Sequence, residues 1–182
     1  VRAQLAFSGD RTVAFKDHRC LGELHVLPAA QLPGWLASKK LGPEPWPEPR
    51  DGAWWAARFA RARGPIKPAL LDQGRVAGLG NIGGSEICWY ARVDPRTPSP
   101  ALALPHWEAI GDGTLRWIEE TLAAETSPEI QLLGEAGSEP VNPFRVYARE
   151  GEPCPRCAGT IERLRQAGRS TFWCPACQGK QD

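Results

Sequence analysis

The chain has 182 residues and a mass of 19.9 kDa, with 42% hydrophobic residues, 24% charged residues and a formal net charge of +1. That balance belongs to one ordinary globular domain or two small ones, and 19 Gly with 18 Pro are too few for a collagen-like or disordered chain. No apolar run approaches the roughly 18 residues of a membrane helix, and nothing at the start reads as a signal peptide.

The first residues read as strands. Ala3, Leu5 and Phe7 alternate, Ser8-Gly9-Asp10-Arg11 has turn chemistry, and Val13 and Phe15 alternate again. Leu21 to Leu27 gives a third strand-like run. Three strands bury little by themselves, so this meander is expected to belong to a larger sheet. The chain opens on Val1 and contains no Met, so it is expected to lack an N-terminal part. Residues 42–50 alternate Pro with other residues and form an extended linker.

A helical region follows. Asp51 is placed to cap a helix carrying Trp54, Trp55, Phe59 and Arg61, which Gly64-Pro65 ends. Pro68 suits the first turn of a second helix, Ala69 to about Arg75. After the Gly78-Leu79-Gly80-Asn81 turn, a third helix runs through Glu86 to about Ala91. A longer amphipathic helix is expected over 106–124, although Gly111 and Gly113 weaken it. Residues 126–142 read as loop.

Charge is segregated along this order. Residues 101–141 sum to −7 and the remainder to +8. A near-neutral total is therefore compatible with a polyanion partner if the basic segments share one face.

Four of the six cysteines form Cys154-x2-Cys157-x16-Cys174-x2-Cys177. Each pair points two thiolates at one ion, and the gap is long enough for a β-hairpin. Tetrahedral Zn2+ is the natural occupant. Iron is the less favoured metal, and two disulfides are the alternative, disfavoured because the chain shows no secretory feature. Some forty residues bury too little to fold unaided, so the metal is expected to supply folding energy. Cys20 and Cys88 sit among apolar neighbours and read as buried structural thiols. Between the cysteine pairs, Arg163, Arg165 and Arg169 recur at period two, which predicts one shared hairpin face turned by Ala167-Gly168.

The glycine turn has its own logic. Gly78 and Gly80 allow positive φ and close backbone approach, and Asn81 opens a helix whose free N–H groups suit a phosphate. The Lys-Ser/Thr of a nucleotide P-loop and the third Gly of a dinucleotide fingerprint are missing.

Lys67-x-x-Leu-Leu-Asp-Gln-x-x-x-x-Gly78-x-Gly80-Asn81-Ile82 followed by Glu86 resembles the helix-two-turn-helix motif of the formamidopyrimidine-DNA glycosylase/endonuclease VIII family. Val146-Tyr147-Ala148-Arg149 through the cysteine pairs to Gln178 is similar to that family's zinc finger. Phe15-x-Asp17-x-Arg19-x-x-Gly22 is similar to the late strands of its N-terminal β-sandwich.

The resemblance implies an α+β chain in four parts. These are the end of a β-sandwich (1–41), the Pro-rich linker (42–50), a helix-two-turn-helix domain (51–141) and a zinc finger (142–182). It also implies base-excision repair: a DNA glycosylase and AP lyase acting on oxidised bases in duplex DNA, with one structural Zn2+, working inside the cell at the nucleoid as a monomer. The family's N-terminal proline nucleophile, its glutamate acid and its assisting lysine have no counterpart in this chain, which is expected to be inactive alone. By resemblance, Lys67 and Asn81 hold phosphates around the damaged nucleotide and Gly78 and Gly80 shape the turn beside them. Arg169 clamps the neighbouring phosphate, and Arg19 contacts the base left unpaired after flipping. Cys20 and Leu21 stand where the family usually has a basic residue and a Phe wedge, and Gly83 where Tyr is common. The loop 134–140 matches one that covers the flipped base. A non-catalytic zinc-containing nucleic-acid-binding protein is the alternative.

Overall fold

The structure is a computed structural model and describes residues 3–9, 11–15, 17, 22–125 and 142–179. The chain divides into two compact units, Val1–Lys39 and Lys40–Asp182.

In the first unit, strands β1 (Ala3–Phe7) and β2 (Arg11–Phe15) pair antiparallel, with Leu5 opposite Val13. Their shared apolar face is open, and Leu5, Phe7 and Val13 are exposed. The predicted third strand is not formed over residues 22–27. A strand needs a partner edge for its ladder, and this segment closes its polar groups locally instead. The Gly22 N–H donates to Asp17 Oδ2 at 2.7 Å, and His25 Nε2 lies 2.8 Å from Glu23 Oε2. Leu24 and Val26 remain exposed. A short helix, α1 (Leu32–Ser38), follows with Pro33 in its first turn, where a missing N–H costs nothing.

The second unit begins its helices at a cap. Asp51 Oδ1 accepts the Trp54 N–H at 2.7 Å and starts α2 (Gly52–Phe59). This helix stops before Gly64, because the N–H groups of Ala60 and Ala62 bond back only three residues. Helix α3 (Ile66–Leu70) begins and ends earlier than predicted. Asp72 ends it: its Oδ1 accepts the Gly74 N–H at 3.0 Å, a local turn that competes with the helical ladder. Helix α4 (Asn81–Tyr90) and the 22-residue α5 (Leu104–Glu125) complete the bundle. No helix among the described residues is long and apolar enough to cross a membrane.

The two glycines that weakened the prediction of α5 lie inside it. A Cβ on Gly113 would stand 2.9 Å from Tyr90 Cβ, so the missing side chain lets α5 press against α4. Trp55, Phe59 and Trp107 stack at centroid separations of 6.1 and 5.3 Å and join α2 to α5.

The last segment is a hairpin, β3 (Glu162–Gln166) and β4 (Arg169–Trp173), ending in the short helix α6 (Pro175–Gln178). Ala167 (φ 46°) and Gly168 (φ 77°) make the predicted two-residue turn. The predicted common arginine face is corrected by the register. Arg163 pairs with Phe172, Arg165 with Ser170 and Gln166 with Arg169. A two-residue turn pairs odd positions with even ones, so Arg169 lies on the face opposite Arg163 and Arg165.

Gly83 makes a further close contact. A Cβ there would lie 2.6–2.9 Å from three ring carbons of Trp117 on α5. Gly83→Ala is therefore expected to lower stability by about 1–3 kcal/mol through overpacking. A urea-denaturation midpoint at or above that of the parent chain would contradict this packing.

Candidate metal centre and nucleic-acid interface

Cys154 and Cys157 precede β3, Cys174 follows β4 and Cys177 lies in α6. The hairpin folds the two pairs together, and all four Sγ atoms lie within 4.8 Å of one another. Cys154 and Cys177 are 3.9 Å apart and Cys157 and Cys174 are 3.5 Å apart. Zn–S bonds of about 2.3 Å place tetrahedral sulfurs about 3.8 Å from each other, so the cage fits that ion. The disulfide alternative needs sulfurs at about 2.05 Å and does not fit. Four thiolates fill every tetrahedral position, which makes the site structural and leaves none for a substrate. Burial raises the Cys154 thiol, but the Trp89 indole N–H and the backbone N–H groups of Arg156 and Cys157 outweigh it and lower the thiol to about 6. Cys88, by contrast, is a buried structural thiol that desolvation pushes up to about 12. Cys20 lies outside the described residues.

The finger packs on α4 through a buried acid. Glu86, 1% exposed, accepts the backbone N–H groups of Arg145 (2.8 Å), Val146 (3.0 Å) and Tyr147 (2.9 Å). Burial raises its carboxyl above the ordinary range, and these three donors oppose that rise. At the far end of the finger, Gln178 donates from Nε2 to Val93 O at 3.0 Å and accepts the Cys174 N–H on Oε1 at 2.7 Å.

This seating brings three predicted residues to one place. Lys67 on α3 donates from Nζ to Asn81 Oδ1 at the start of α4 and to the carbonyl of Ser170 on β4 at 3.3 Å. Asn81 Nδ2 donates to the same carbonyl at 3.1 Å and to the Tyr147 hydroxyl at 3.5 Å. Arg169 is the neighbour of Ser170 and is exposed at the hairpin tip. Burial lowers the Lys67 ammonium from 10.5 to about 8; Cys88 opposes this and the Arg169 charge adds to it.

Gly78 has the positive φ expected of it (87°), whereas Gly80 is extended at φ −99° and ψ −175° and serves as the helix cap instead. A Cβ at either position would meet nothing within 4 Å. Gln73 fixes the turn, accepting the Gly78 N–H at 2.9 Å and donating to Leu79 O at 2.8 Å. Arg19, Leu21 and the loop 134–140 lie outside the described residues. Gln73 and Glu86 stood in the quoted motif without a role, and Ser170 and Tyr147 carried no signal, since one contributes a backbone carbonyl and the other a hydroxyl 66 residues from its partner.

A two-turn helical junction with a four-thiolate hairpin seated on it defines a chain of the α+β class that joins a helix-two-turn-helix unit to a zinc finger. The H2TH domain of formamidopyrimidine-DNA glycosylase matches residues 41–130, and the zinc finger found in FPG and IleRS matches residues 151–179. The chain belongs to the formamidopyrimidine-DNA glycosylase family. It is 42% identical over 171 residues to formamidopyrimidine-DNA glycosylase of Paracoccus denitrificans, covering 91% of this chain and 60% of the relative. It is 36% identical over 173 residues to that of Streptococcus pyogenes, covering 93% and 62%. The chain thus spans about 60% of the length of these curated relatives. Among solved structures, MutM in complex with carbocyclic 8-oxo-G containing DNA superposes with a TM-score of 0.81 at 30% identity, covering 97% of this chain and 64% of that one. Lactococcus lactis Fpg with an abasic site containing DNA gives 0.71 at 33% identity, covering 84% and 56%.

The buried lysine carries a pH dependence. Its pKa is about 8 in the folded chain and 10.5 without the fold. Between those values the unfolded chain holds the extra proton, so this group's destabilisation is complete below pH 8 and is relieved as pH rises to 10.5. Urea midpoints of the parent chain measured over that window should climb relative to those of Lys67→Met. Parallel curves would show that Lys67 does not titrate there.

Proposed function

We propose that this chain is the DNA-gripping part of a base-excision-repair glycosylase and AP lyase that acts on oxidised bases in duplex DNA. The observation that carries the reading is the meeting of Lys67, Asn81 and Ser170 beside Arg169. Cation and amide donors from two helices and a hairpin converge where a phosphate oxygen would find charge-assisted partners. The open space over Gly78 and Gly80 admits a backbone from the side. The relatives bound to abasic-site DNA and to 8-oxo-G DNA support the same reading.

In this assignment Arg169 and Asn81 meet the phosphates flanking the damaged nucleotide. Lys67, only 1% exposed, acts on them from beneath and holds the Asn81 amide. The resemblance assigns Arg19 to the base left unpaired, and Gly78 and Gly80 shape the approach. The four parts 1–41, 42–50, 51–141 and 142–182 serve as sandwich end, linker, H2TH domain and finger of a monomer on one duplex. Glycosidic cleavage in the family runs through an N-terminal proline amine that forms a Schiff base at C1′, with a glutamate as general acid. These 182 residues supply neither, so their share of the reaction is holding the strand.

Two outcomes check this. Titrating an abasic-analogue duplex at several salt concentrations, Arg169→Ala and Lys67→Ala should each weaken binding and flatten the salt slope by about one unit. Asn81→Ala should weaken binding by about 1–3 kcal/mol with the slope kept, because the amide is neutral. Parent affinity in both Arg169→Ala and Asn81→Ala would remove this surface from DNA binding. Separately, borohydride trapping with the 182-residue chain should give no covalent DNA adduct. An adduct formed at enzyme-like rates would place a nucleophile within these residues.

A further inference from the structure

The metal centre touches α4 as well as the finger. Trp89, the last residue but one of α4, is 7% exposed and lies in the finger's core with Val146, Ile161 and Phe172. Its indole N–H donates to Cys154 Sγ at 3.3 Å. Arg156, inside the first cysteine pair, stacks over the same indole with Cζ 3.9 Å from the ring centroid. Arg156 Nη1 donates to the Trp89 carbonyl at 2.7 Å and reaches Cys177 Sγ at 3.8 Å. One N–H and one guanidinium thus address one sulfur from each cysteine pair.

The chemistry of the centre gives these contacts a purpose. Four thiolates around a divalent ion leave a net charge of −2. A partly buried dianion is costly unless donors and a counter-charge stand against it. Hydrogen bonds to thiolate sulfur also withdraw electron density from it and so tune the metal–sulfur bond. Arg156 simultaneously satisfies a carbonyl at the C-terminal end of α4, the negative end of the helix dipole.

We propose that Trp89 and Arg156 are positioning residues of the zinc centre, an outer shell that stabilises the tetrathiolate and fastens it to α4. Because the two partners are tied to both structures, metal retention and the seating of α4 are coupled, and the coupling is reciprocal. Asn81 stands eight residues earlier on the same helix, about 12 Å along its axis.

The test uses the whole 182-residue chain loaded with Zn2+ or with Co2+ as a spectroscopic probe. Trp89→Phe keeps an aromatic ring and removes the N–H. Competition against a chelator should show metal affinity about 10–100-fold weaker, and the thiolate-to-Co2+ charge-transfer band should shift. Arg156→Met should weaken metal binding in the same range, with Arg156→Lys recovering part of it. Phe172→Leu loosens the same core without removing a donor to sulfur, so its band should stay at the parent position. Parent affinity and band position in Trp89→Phe, or an equal band shift in Phe172→Leu, would overturn the assignment. If Trp89→Phe does not fold, Arg156→Met alone decides, and parent metal affinity in it would equally overturn the proposal.

Discussion

A single buried carboxylate decides how the second unit is assembled. Glu86 accepts three consecutive backbone N–H groups at the point where the chain enters the finger. Leaving a buried N–H without a partner costs about 1–3 kcal/mol each, so this acid fixes residues 145–147 against α4 more firmly than any one apolar contact. Three fixed N–H groups define the direction of the chain as well as its position. The hairpin that follows has little freedom left, and Gln178 on Val93 pins its other end.

The polar cluster at the start of α4 depends on that seating. Lys67 and Ser170 are 103 residues apart in sequence and meet only because the finger is docked. An ammonium buried at 1% exposure is expensive on its own. Here an amide oxygen and a carbonyl compensate it in part, and burial still lowers its pKa. A cation held short of full solvation has more to gain from an anion than one already in water, which fits the phosphate-holding role proposed for it.

Much of this was legible in the residues, and the misses have definite causes. The cysteine spacing, the Asp51 cap and the Ala167-Gly168 turn are local signals, each read within a few positions, and all three formed as expected. Motif resemblance named Lys67, Asn81 and Arg169 together, and the structure brings Lys67 and Asn81 to Ser170, the neighbour of Arg169. Helix ends failed where a side chain offered the backbone another partner, as Asp72 does at the end of α3. Gly111 and Gly113 argued against α5 on propensity, while close packing at Gly113 reversed their meaning. The third strand failed because strand propensity names no partner edge. Ser170 could not have been found, since what it contributes is a carbonyl that every residue has.

The two-residue turn at the finger tip also sets how this hairpin tolerates insertion and deletion. Odd positions of β3 lie opposite even positions of β4, so one added residue would shift the register by one and exchange the faces of every β4 side chain if the turn stayed two residues long. Phe172 would leave the finger's core as Arg169 joined Arg163 and Arg165. Charge placement at the tip and apolar packing near the metal are therefore inherited together from the length of one turn. Arg163 already pairs with Glu150 at 3.0 Å on the other face. The number of arginines in such a hairpin is consequently not the number it presents to any one surface.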